Sequence, residues 1–85
     1  MYKNKADDGR NNISGLRIKA LRQRLPGNVS QRELADMLQI EGLDVDKNAV
    51  QRIENGQRFV TDIELKVFAR VLHVRYEELL DDPTV

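Results

Sequence analysis

Asp46 to Arg58, DKNAVQRIENGQR, has the marks of one short helix with two opposed faces. Ala49, Val50 and Ile53 fall at helical spacing and form a narrow apolar stripe. Lys47, Asn48, Gln51, Arg52 and Asn55 follow the opposite diagonal. Their amide, ammonium and guanidinium groups are the ones that pair with base edges in a major groove, Arg or Lys with guanine and Asn or Gln with adenine. Asp46 is placed to cap the start by accepting a backbone N–H. Gly56 is placed to end the helix in the left-handed conformation that a Cβ disfavours. On its own, the stretch fits an ordinary amphipathic helix with a solvated polar face equally well.

Upstream, residues 39–45, QIEGLDV, form a connection in which Ile40, Leu43 and Val45 are apolar and should pack down, with Gly42 suited to a turn. Before it, Ser30-Gln31-Arg32-Glu33 fits a capping box, and Val29 with Leu34 fits a hydrophobic staple. The helix that follows buries Leu34, Ala35 and Leu38. Gln31 and Arg32 sit in its first turn, where free N–H groups and the positive dipole end favour a phosphate. A first helix over about Ser14–Arg24 carries Ile18, Leu21 and Leu25 as its stripe, and Leu25-Pro26-Gly27-Asn28 breaks it. Residues 1–13 are polar and charged and read as a flexible tail.

Downstream, Thr61-Asp62-Ile63-Glu64 is a second capping box. It opens a fourth helix to about Leu72, with Leu65, Phe68, Ala69 and Leu72 on its inner face. A short fifth helix, roughly Arg75 to Leu80, offers Tyr76, Leu79 and Leu80, and residues 82–85 form a C-terminal tail. The expected fold is all-α with five helices in one domain over residues 14–81. Alternating β-type patterning and internal repeats are absent.

Composition removes several function classes. The chain of 85 residues has no cysteine, hence no disulfide framework, thiolate metal site or Cys nucleophile. His73 is the single histidine and has no activating partner in the pattern, so catalysis is not expected. Glu77, Glu78, Asp81 and Asp82 match no EF-hand spacing and read as a solvated acidic end. No nucleophile–base pair, phosphate-binding glycine loop, cofactor motif, small-molecule site or metal cluster can be assembled. With no membrane-length apolar run and no signal-peptide core, a cytoplasmic protein is expected. Net charge is zero, but it is segregated: six basic residues and no acid lie between Gly9 and Arg32, and four acids and no base between Glu33 and Val45. Such local patches, more than the sum, govern binding to an anion.

Three motifs occur in order: Ser30-Gln31-x-Glu33-Leu34-Ala35-x-x-Leu38, Arg52-Ile53-Glu54-Asn55-Gly56, and Leu65-x-x-Phe68-Ala69-x-x-Leu72-x-Val74-x-x-x-x-Leu79-Leu80. Together they resemble the Cro/C1-type helix-turn-helix family of bacterial and phage regulators, over about residues 14–80. The resemblance implies a five-helix domain like those of phage repressors, in which the second helix crosses the DNA backbone and the third, about 46–55, lies in the major groove. It places Lys47, Asn48, Gln51 and Arg52 at base-reading positions. Gln31, Asn55 and Arg58 match phosphate contacts, beside Arg32 in the same helix turn as Gln31. Arg22 and Glu54 match a structural ion pair. The chain departs from the pattern in a connection about five residues longer between the second and third helices, and in Val60 and Arg75 where proline and a capping serine are usual.

The expected function is a sequence-specific double-stranded DNA-binding transcriptional regulator, a repressor, pairing as a homodimer through its C-terminal helical region. The alternative from another class is a protein-interaction module, an antitoxin or adaptor, built on the same fold.

Overall fold

Helix formation follows the capping residues. In the computed structural model, which describes residues 5, 6 and 8–81, the Asp46 carboxylate accepts from the Ala49 amide at 2.8 Å and starts α3 (Lys47–Glu54). Both capping boxes close: Ser30 with Glu33 ahead of α2 (Gln31–Ile40), and Thr61 with Glu64 ahead of α4 (Asp62–Leu72). The first helix, α1 (Gly15–Arg24), is capped from outside its own N-cap: the Asn12 side chain accepts from the Gly15 amide at 2.8 Å. Arg75 has no side-chain acceptor, so α5 (Tyr76–Leu80) keeps only the return half of a box, the Arg75 amide donating to Glu78 at 2.8 Å.

The stops are equally local. After α2 the Leu43 amide donates to Leu38 and the Gly42 amide to Gln39; after α3 the Gln57 amide donates to Arg52 and the Gly56 amide to Ile53. Both are Schellman ends, and each needs a left-handed residue, supplied by Gly42 and by Gly56 at φ +78°. At the end of α4 the left-handed position falls to His73 at φ +58°.

α3 lies against α2 and α1, while α4 packs on α1, α2 and α5. Between them Ile18, Leu34, Leu38, Val50, Ile53, Phe68 and Leu79 are wholly buried. Phe68 alone contributes about 1.5–3 kcal/mol through removal of its ring from water. α1 and α3 meet closely at one end: a Cβ on Gly15 would stand 2.1 Å from the Ile53 carbonyl oxygen. All elements among the described residues are helices, in the expected order and within a residue or two of the expected bounds.

Two expectations differ from what is observed, those for Ile40 and for residues 10–12. Ile40 does not pack down; α2 continues through it, two residues beyond Leu38 on the opposite side of the helix, and it is 82% exposed. Leu43 and Val45 do pack, Val45 into the core. Of the fifth-helix trio, Leu79 is core, while Tyr76 and Leu80 remain on the surface. Residues 10–12, expected within a flexible tail, are hydrogen-bonded to the end of α3 and the loop after it. The expected C-terminal tail, 82–85, lies outside the described residues, as do residues 1–4 and 7 of the N-terminal one.

Candidate nucleic-acid interface

α3 is held on one side and open on the other. Ala49, Val50 and Ile53 are in the core, whereas Lys47, Asn48, Gln51, Arg52 and Asn55 are all exposed. The division follows from helical spacing, and it leaves long polar side chains as the outer surface of a rigid element. Lys47 and Asn48 share a groove with Arg32, Asp36 and Gln39 of α2 and with the cap Asp46. Asp36 was not among the residues singled out from the pattern. Its carboxylate puts an acceptor beside Lys47 and Asn48, a chemistry suited to a cytosine amino group rather than a phosphate.

The scaffold beneath this surface is an ionic network linking three helices. Arg22 of α1 meets Glu54 of α3 in a two-pronged pair, Nε to Oε2 at 2.8 Å and Nη2 to Oε1 at 3.1 Å. Gln31 of α2 donates its side-chain amide to the same carboxylate at 2.9 Å, and Arg22 Nη1 donates to the Val29 carbonyl at 2.8 Å. Glu54 is only 2% exposed. Such a carboxylate is tolerable only because donors meet both of its oxygens.

The residues expected at phosphates are thus not equivalent. Arg32 and Asn55 are exposed. Gln31 is half-buried with its amide given to Glu54. Arg58 is half-buried and forks onto Glu64 at 3.0 and 2.6 Å, with a further bond to the Phe59 carbonyl. The hydrogen bond that Arg58 donates to Glu64 outweighs burial and holds the guanidinium above its ordinary pKa. Burial pushes the Glu64 carboxyl up, but the hydrogen bonds from Arg58 and Thr61 and the Arg58 charge outweigh it and leave the group below the ordinary value.

The longer connection from α2 to α3 is anchored rather than loose. Gln39 donates to the Val45 carbonyl at 2.8 Å, Val45 is buried, and Glu41 meets Arg70 of α4 at 3.3 Å. The role of Gln39 was invisible in the pattern, since an amide at the end of an amphipathic helix is ordinarily solvated.

A two-faced helix docked on a capped partner helix is the arrangement of a helix-turn-helix, and a family model described as helix-turn-helix matches residues 18–79. The chain belongs to the Cro/C1-type helix-turn-helix family. Comparison with curated proteins gives no match. As a Cro/C1-type domain the protein is a DNA-binding helix-turn-helix regulator of all-α fold. Among its described residues no helix is long and apolar enough to cross a membrane, and no group of three or more His, Cys, Asp or Glu is placed to hold a metal ion.

Proposed function

We propose that this Cro/C1-type domain is a sequence-specific repressor that acts in the cytoplasm as a homodimer on double-stranded DNA. In this reading α3 enters the major groove, with Lys47, Asn48, Gln51 and Arg52 toward base edges. Arg32, Asn55, Gln31 and Arg58 meet the flanking phosphates. Arg32 and Asn55 do so with exposed side chains, Gln31 and Arg58 while still bonded to Glu54 and Glu64. Occupancy of a promoter then excludes other DNA-binding proteins. The observation that carries the reading is the exposed polar diagonal of α3, held by the Arg22–Glu54–Gln31 network around the buried Glu54 carboxylate. Pairing is assigned to the C-terminal helical region, where Tyr76 and Leu80 are apolar surface beside a core already filled by Leu79 and Phe68. Two-fold pairing would set two reading helices about 34 Å apart on one side of the duplex.

The test is titration of a selected duplex at several salt concentrations, with stoichiometry from light scattering. Two chains per site and an affinity that falls steeply with salt are expected, because basic contacts displace counterions. Weak binding indifferent to sequence would overturn the reading in favour of a protein-binding adaptor.

A further inference from the structure

The loop that leaves α3 has no regular partner for its backbone, yet its carbonyls are met by one short segment. Asn12 donates to the carbonyls of Ile53 at 2.9 Å and Arg58 at 2.7 Å. Arg10 Nη2 donates to Glu54 at 2.6 Å, the Asn11 side chain to Gln57 at 3.0 Å, and the Asn11 amide to Gly56 at 2.8 Å. Five of the six backbone carbonyls from Ile53 to Arg58 are therefore taken by three consecutive residues. Two glycines make room for this strap: a Cβ on Gly56 would lie 2.7 Å from Arg10 Cζ, and one on Gly15 would lie 2.6 Å from Asn12 Oδ1. The guanidinium of Arg10 also places positive charge at the negative end of the α3 dipole. The strap lies wholly outside residues 18–79, the part matched by the family model.

We infer that Arg10, Asn11 and Asn12 are positioning residues for DNA binding. They set the shape of the loop that carries Asn55 and Arg58, and with it the seating of the C-terminal end of α3. An unheld loop would satisfy its carbonyls with water in many arrangements, and the phosphate contacts would lose their fixed distance from the reading face. The inference rests on the DNA-binding reading above, but its physical part, the holding of the loop, is testable without DNA.

The experiment compares the full chain with Asn12→Ala, which leaves net charge unchanged, and with Val71→Ala, a core truncation in α4 remote from the strap. In the free protein, amide exchange at Asn55, Gly56 and Gln57 should be about tenfold faster in Asn12→Ala, with α2 and α4 amides little changed. On a selected duplex, affinity should fall about tenfold. The slope of log affinity against log salt should become shallower by about one, as a phosphate contact is lost. Val71→Ala should lower the melting temperature and leave that slope at the parental value. Should Asn12→Ala not fold, Arg10→Ala, at a half-buried position, supplies the exchange and affinity readouts. Exchange at the three amides no faster than in Val71→Ala, or affinity and salt slope equal to those of Val71→Ala, would overturn the inference. A parent protein that selects no duplex would defeat the DNA-binding reading, while the exchange arm would still decide whether the strap holds the loop.

Discussion

Replacing Arg22 with alanine removes both prongs onto Glu54 and the bond to the Val29 carbonyl, and leaves the Glu54 carboxylate with Gln31 as its remaining side-chain donor among the described residues. Because Glu54 is 2% exposed, water cannot replace the guanidinium without opening the junction of α1, α2 and α3. Breaking a buried pair from one side costs about 3–5 kcal/mol. Domains of this size are stable by only about 0.05–0.15 kcal/mol per residue, so the loss is about a quarter or more of the total. At about 4–8 °C per kcal/mol the melting temperature should drop by more than about 12 °C. Arg22→Met combined with Glu54→Leu removes both charges and should recover most of that loss, since no unpaired charge stays buried. Thermal and urea melts of Arg22→Met, Glu54→Leu and the double close the cycle. A loss of only about 0–1 kcal/mol for Arg22→Ala, the size expected of a solvent-exposed pair, would refute the reasoning. So would a double variant as unstable as the two singles added together.

Truncating Arg52 to Ala should cost about 1–3 kcal/mol on the selected site and relax preference at one base pair, while the melt stays near parental; unchanged affinity and preference in a selection would remove Arg52 from the reading face. The Glu64–Arg58 pair predicts a pH effect whose sign follows from the lowered Glu64 value: its contribution is complete above the ordinary carboxylate range and disappears as pH falls through the depressed value. Parent and Glu64→Gln should therefore differ most in melting temperature near neutrality and converge on acidification, whereas a constant gap would place the pair's contribution elsewhere. Gly15→Ala should destabilise by about 1–3 kcal/mol or more through its clash with the Ile53 carbonyl, read as a lower urea midpoint; an unchanged midpoint would mean that α1 and α3 are not in close contact.

Much of the fold was readable because its punctuation is local. Ser30 with Glu33, Thr61 with Glu64, Asp46, Gly42 and Gly56 each act within a few residues, and the helices start and stop where those residues dictate. The two faces of α3 were readable for the same reason, since spacing alone separates Val50 and Ile53 from Gln51 and Arg52. The Arg22–Glu54 pair came only through the resemblance, as nothing in the residues between them announces a bond across 32 positions. Ile40 is misplaced by the sequence reading because the apolar stripe of α2 stops at Leu38, two residues before the helix does. The strap at Arg10–Asn12 was unreadable: polar residues without periodicity look like solvated tail, and their partners are backbone carbonyls, which carry no side-chain signature. Arg58 shows a further limit, since Glu64 was legible as half of a capping box but not as the carboxylate that also holds the guanidinium.

Selection of bound duplexes from a random library tests the central claim most directly. Enrichment of a near-palindrome, with half-sites about one helical turn apart and with its preferred bases altered by Arg52→Ala, is the predicted result. Recovery of duplexes with no sequence in common would contradict it.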